Sequence, residues 1–220
     1  MVHKIQNVVI AGAGIMGASI ARLFASFQYR VTLYDISREA LDKSRELIFA
    51  DNEQGTGMAK EGGMLAEGKV CKVREDIVFS SDKECFGQAD FVIEAIVEKM
   101  EIKHRFFEEI SRLVPERAVL TSNTSGLSLT EIAKAVYLPE RFCGMHWLNP
   151  PHICPLIEVI KGQRTRQETA DIVFDVARDI RRYPVRLQKE VPGFLINRFQ
   201  FAILREAMAL AEEGVASRED

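Results

Sequence analysis

The feature that most constrains this chain is its start. An apolar run, Val8-Val9-Ile10-Ala11, leads into Gly12-Ala13-Gly14-Ile15-Met16-Gly17, and the helix-forming Ala18-Ser19-Ile20-Ala21-Arg22-Leu23 follows. This is G-x-G-x-x-G between a strand and a helix, the context that gives the pattern meaning. Gly12 permits a tight turn, Gly14 lets backbone approach a pyrophosphate, and Gly17 lets helix pack on strand. The free amides of Ile15 and Met16 and the positive end of the helix dipole then face the phosphates. A second strand-like run, Arg30-Val31-Thr32-Leu33-Tyr34, ends in Asp35, 18 residues beyond Gly17. Alone, Asp35 reads as a helix N-cap. With the glycines, it is placed to accept the ribose hydroxyls of a dinucleotide and to repel a 2′-phosphate, which favours NAD over NADP.

Strand and helix signals then alternate, predicting an α/β fold with a doubly wound, mostly parallel sheet. Ser37 to about Asn52 reads as helix. A Gly-rich charged stretch follows, with Gly55, Gly57, Gly62, Gly63, Gly68 and Lys60, and reads as an exposed loop or helical hairpin. Ile77–Ser80, Asp90–Ile96 and Ala118–Ser122 are further strands, with a helix from Met100 to Leu113 stopped by Pro115. Arg141–Trp147 and Pro155–Ile160 read as strands joined by the turn Asn149-Pro150-Pro151-His152. A helix over Gln167–Arg181 and a strand over Pro184–Leu187 follow. The last helix, about Phe194 to Glu213, is apolar nearly all round and calls for cover on several sides. Gly214 ends it, and Ser217-Arg218-Glu219-Asp220 has the form of a capping box for another helix. The expected division is therefore a nucleotide-binding domain over 1–190 and, over 191–220, the first helix of a helical domain whose remainder lies past the end of this chain.

Composition narrows the function classes. The net charge of −3 gives no general pull towards nucleic acid or anionic membrane. No apolar run approaches a membrane span, and no signal peptide is expected ahead of the first strand. The 4 cysteines lack metal-ligand spacing, so no metal or disulfide framework is expected, and the cytoplasm is the default compartment.

Four positions carry candidate chemistry. His146 ends one strand and Glu158 lies in the next, in the apolar Leu156-Ile157-Glu158-Val159-Ile160, where an unpaired carboxylate would be costly. Paired, the carboxylate fixes the imidazole tautomer and leaves the other nitrogen as a base. On spacing alone, a structural histidine and a solvated strand glutamate stay open as alternatives. Ser125 follows the fifth strand, where ligands bind in such sheets, and Ser128 with Glu131 already supplies the next helix cap. Asn197 sits early in the apolar helix, where its amide needs partners, structural ones included. Glu98 and Lys103, five apart, read as solvated surface.

Together these residues resemble a known family. Gly12–Gly17, Val92-Ile93-Glu94-Ala95, Ser122-Asn123-Thr124-Ser125, His146-Trp147-Leu148-Asn149-Pro150, Leu156-Ile157-Glu158-Val159 and Pro192-Gly193-Phe194-Leu195-Ile196-Asn197-Arg198 are similar, in order and spacing, to the L-3-hydroxyacyl-CoA dehydrogenases. The resemblance implies a Rossmann-type domain, NAD as cofactor, an acyl-CoA substrate and a homodimer built by a C-terminal helical domain. It implies His146 as general base, Glu158 as its partner, and Ser125 and Asn197 on the reacting oxygen and neighbouring carbonyl. Asp35 would hold the adenosine ribose, Glu98 and Lys103 would line the nicotinamide side, and Asn149 would support the turn near His146. In the Gly-rich stretch Lys60 is the one evident candidate for CoA contact. Asn149-Pro150-Pro151-His152 also resembles relatives acting on free hydroxy acids, such as carnitine or gulonate dehydrogenases. A third reading is a dinucleotide-binding module that binds NAD without turnover because its cleft is half built.

Overall fold

The computed structural model describes residues 5–54 and 77–219, with the side chains of 50–54 excepted. The Gly-rich stretch and Lys60 lie outside the described residues. Eight strands form one sheet: β1 (Asn7–Ala11), β2 (Arg30–Tyr34), β3 (Ile77–Ser80), β4 (Phe91–Glu94), β5 (Val119–Ser122), β6 (Phe142–Trp147), β7 (Leu156–Ile160) and β8 (Tyr183–Leu187). Their spatial order is β3-β2-β1-β4-β5-β6-β7-β8. The strands from β3 across to β6 run parallel; β7 is antiparallel to β6, and β8 is parallel to β7. The expected doubly wound sheet is present, with its last two strands reversed. The chain reverses because the Pro150 turn joins β6 to β7 directly, and a short turn can only build an antiparallel pair.

The helices are α1 (Ile15–Ser26), α2 (Arg38–Gln54), α3 (Met100–Leu113), α4 (Leu129–Ile132), α5 (Gln167–Asp179) and α6 (Ile196–Glu212). Alternation along the strands divides the core between two faces. Val8, Ile10, Ile93, Met145 and Ile157 meet α1, α2 and α5 through Ile20, Phe24, Leu41 and Val173. Val9, Ala11, Val92, Leu120 and Phe142 meet α3, α4 and Phe194 through Phe107, Ile110, Leu129 and Ile132. A fully buried side chain such as Phe24 contributes about 2–3 kcal/mol by leaving water.

Several boundaries differ from expectation for identifiable reasons. β4 is shorter than Asp90–Ile96. Asp90 instead accepts hydrogen bonds from the amides of Gln6 (3.1 Å) and Asn7 (3.0 Å), while Ala95 closes against Gly12. α2 is capped by Ser37, whose hydroxyl accepts from the Ala40 amide at 3.2 Å, so Asp35 is released from capping. α5 stops at Asp179, and Arg181 takes the left-handed φ of 55° common just past a helix. α6 begins only at Ile196, because Gly193 (φ 74°) and Phe194 (φ 51°) turn the chain first. Gly214 (φ 71°) ends it as expected. The expectation of burial fails for α6 within the described residues: none of its positions is buried, and Ile203 is 71% exposed. Residues 214–219 are not helical. No helix of the described residues is long and apolar enough to cross a membrane.

Candidate active site

The glycine turn sits at the carboxyl edge of β1. Gly12 adopts φ 108°, and a Cβ there would lie 2.4 Å from the carbonyl oxygen of Ala95. A Cβ on Gly17 would lie 1.8 Å from the carbonyl oxygen of Gly12, so α1 can approach β1 only with hydrogen at that position. Gly14 differs from both. Nothing lies within 4 Å of a Cβ built on it, and it begins α1 without a side-chain cap. The open space and uncapped amides suit an anionic group drawn to the helix N-terminus. Ile15 beside it is 70% exposed, and Met16 is partly buried against the core.

Asp35, at the end of β2, braces this cradle. Its Oδ2 accepts from the Ala13 amide at 2.8 Å and its Oδ1 from the Ser37 amide at 2.9 Å. An ionised carboxylate has further lone pairs for ribose hydroxyls. The cradle, the uncapped helix and the braced acid therefore fit a dinucleotide.

Further along the same edge, antiparallel pairing places His146 of β6 directly opposite Glu158 of β7. His146 Nδ1 lies 2.6 Å from Glu158 Oε2, and both side chains are buried. The other carboxylate oxygen, Oε1, accepts from the amides of Leu195 (2.8 Å) and Ile196 (3.1 Å) at the start of α6. Burial opposes ionisation of Glu158, but the hydrogen bonds from His146 and the two amides outweigh it and hold the carboxyl below its ordinary value. The Phe194 ring packs on the imidazole with 5.4 Å between centroids. His146 Nε2 makes no hydrogen bond to a described residue. The arrangement is thus an oriented imidazole whose Nδ1 faces an acceptor and whose Nε2 is available to take a proton.

Ser125 and Asn197 also come together. The Asn197 amide nitrogen donates to the Ser125 carbonyl oxygen at 2.8 Å, which ties α6 to the loop after β5. Glu98 Oε1 accepts from the Ser125 amide (2.9 Å) and the Thr124 hydroxyl (2.5 Å). The reading of solvated surface holds for Glu98, which is exposed, and fails for Lys103, and the two are paired. Glu98 lies in the loop before α3, so helical spacing does not apply, and its Oε2 is 3.1 Å from Lys103 Nζ. Lys103 is 1% exposed, with its ammonium held between Glu98 and Glu94.

Asn149 is exposed, and its side chain makes no hydrogen bond to a described residue; the support expected of it comes from Asn123. Asn123 Oδ1 accepts from the Trp147 amide at 2.8 Å and so holds the residue after His146. Asn123 lies one residue past β5 and reaches across to β6, whereas Asn149 has already turned away into the loop. Glu94 and Phe194 were also missed as site residues. Glu94 carries the same signal that exposed Glu158, a carboxylate in an apolar strand, in Phe91-Val92-Ile93-Glu94. Phe194 gives no signal beyond apolarity.

Fold and edge geometry define a dinucleotide-binding domain of the Rossmann type. Residues 7–191 match the family described as "3-hydroxyacyl-CoA dehydrogenase, NAD binding domain", and the chain belongs to this family of NAD-dependent oxidoreductases. It is 37% identical over 217 residues to the 5-formyl-3-hydroxy-2-methylpyridine 4-carboxylate 5-dehydrogenase of Mesorhizobium japonicum, covering 98% of this chain and 68% of that one. It is 36% identical over 210 residues to the probable 3-hydroxybutyryl-CoA dehydrogenase of Deinococcus radiodurans, covering 96% and 73%. The crystal structure of 3-hydroxybutyryl-CoA dehydrogenase from Escherichia coli superposes with a TM-score of 0.90 at 34% identity. That match covers 99% of this chain and 45% of the other.

Proposed function

We propose that this chain catalyses NAD-dependent oxidation of the 3-hydroxyl of an L-3-hydroxyacyl-CoA, or the reverse reduction. The observation that carries the reading is the buried His146–Glu158 pair at 2.6 Å, on the same sheet edge as the glycine cradle. His146 Nε2 removes the hydroxyl proton, and Glu158, pinned by two helix amides, stabilises the imidazolium that forms. Bound NAD supplies the hydride acceptor. The Gly12–Gly17 turn and Asp35 hold its pyrophosphate and adenosine ribose, while Glu98, with Lys103 behind it, faces its nicotinamide side. Ser125 and Asn197 orient the substrate oxygens. Relatives named as 3-hydroxybutyryl-CoA dehydrogenases support the substrate class. The test is acetoacetyl-CoA-dependent oxidation of NADH: we expect turnover by the wild type and its loss in His146→Ala. A fully active alanine variant defeats the assignment.

A second reading follows from the Mesorhizobium relative, named for a free pyridine carboxylate. In it the substrate is a free hydroxy acid. A panel of CoA thioesters against their free acids separates the two, since a strict thioester requirement excludes the second. We also propose that 1–190 form the NAD domain and that 191–220 open a helical unit joining a homodimer, because the apolar surface of α6 needs cover from outside the described residues.

A further inference from the structure

Beneath the loop after β4, behind Glu98, lies a buried ion pair whose acid, Glu94, the proposed chemistry does not use. Glu94 ends β4 and is 0% exposed. Its Oε1 accepts from Lys103 Nζ at 2.5 Å and the Ile96 amide at 2.9 Å. Its Oε2 accepts from the Ser122 hydroxyl at 2.5 Å. Lys103 reaches on to Glu98, and Glu98 holds Thr124 and Ser125. Burial pushes the Glu94 carboxyl up, and the ammonium beside it pulls the other way. A buried carboxylate is tolerated only when such partners satisfy it. Here two of the partners sit at the cofactor edge, Ile96 after Ala95, which closes against Gly12, and Ser122 before the loop that carries Ser125, while Lys103 comes from the first turn of α3.

We propose that Glu94 is a positioning residue for NAD, acting through Lys103 to fix Glu98 and the 95–98 loop under the nicotinamide end. With two carboxylates on one ammonium, Lys103 stays buried and Glu98 keeps its oxygens on Thr124 and Ser125. Neutralising Glu94 leaves Lys103 free to move outward with Glu98, so the loop loses its register against Gly12. Lys103 thus serves the site from behind Glu98.

The inference rests on the cofactor placement proposed above. It is tested by calorimetric NADH titration of the whole chain, with thermal unfolding and, where turnover is measured, the KM for NAD against kcat. Glu94→Gln is expected to raise the NADH Kd about tenfold and the KM for NAD alike, with kcat within about twofold. Glu98→Gln, at a side chain 44% exposed, is expected to raise the NADH Kd at least as far, and the double variant to bind no more weakly than Glu98→Gln alone. A purely structural role would lower the melting temperature and leave Kd unchanged, which overturns the proposal, as do additive effects in the double variant. If Glu94→Gln does not fold, Ser122→Ala loosens the same carboxylate; unchanged Kd in both Ser122→Ala and Glu98→Gln is then the overturning result. Wild-type protein that fails to bind NADH overturns the cofactor placement itself, and normal wild-type binding with a normal Glu94→Gln Kd overturns only the role of Glu94.

Discussion

The two ends of the site are made of different material. The end proposed to hold phosphate, Gly12 to Gly17, is shaped by missing side chains: backbone approaches backbone where a Cβ would clash, and space stays open at Gly14. The end proposed for proton transfer is made of side chains that only the sheet and α6 bring together, with Glu158 shared between His146 and two helix amides. The first end therefore depends on local conformation, and the second on charge held in place by distant parts of the chain. Substitutions should part them accordingly. The glycine end should fail by losing its fold, and the dyad by losing chemistry while it stays folded.

The largest effect is expected at the dyad. His146→Ala should lower kcat about 10³-fold, within the range for a positioned acid–base group, with NADH affinity preserved in calorimetry. Gly17→Ala should act the other way. Its Cβ has no room against the Gly12 carbonyl, so urea denaturation should register a loss of about 3 kcal/mol, the upper part of overpacking costs. Glu158→Gln keeps an acceptor for the α6 amides but removes the charge facing His146, and steady-state kinetics should show kcat reduced about 10²-fold. Asp35→Ala leaves the Ala13 amide without its charged acceptor and should cost about 2 kcal/mol while weakening NADH binding. Equal loss of fold and activity in all four variants would erase the distinction between the two ends.

Acid should weaken the dyad's anchorage. Glu158 and Glu98 both have carboxyls held below the ordinary 4.5, so the stability they contribute is intact above that pH. It is lost as the pH falls through their depressed native values. Acid denaturation of Glu158→Gln beside the wild type checks this: the variant should lack that part of the decline.

Much of the frame was legible because the signals are local. The Gly12–Gly17 turn, Asp35 at the end of β2, the apolar strands and the periodicity of α3 each follow from neighbouring residues. Even the His146–Glu158 meeting was in reach, since a turn between consecutive strands sets their register. The Lys103–Glu98 contact was not, because helical spacing misleads when one partner lies in a loop. Asn123 likewise reaches β6 across a gap that sequence distance does not measure.

By itself, then, the sequence determined the alternating architecture, the glycine turn after β1 and the residue types of the His146–Glu158 pair, because each depends on steric limits or periodicities a few residues long. Tertiary structure alone decided that Glu158 is shared with α6, that Lys103 is buried between two acids, and that Asn123 supports the end of β6. Those outcomes turn on which groups lose their water together. That depends on elements 9 to 84 residues apart, as with Lys103 on Glu94 and Gln6 on Asp90. The bare apolar face of α6 shows the same limit from the other side. Its pattern calls for cover, and among the described residues nothing provides it.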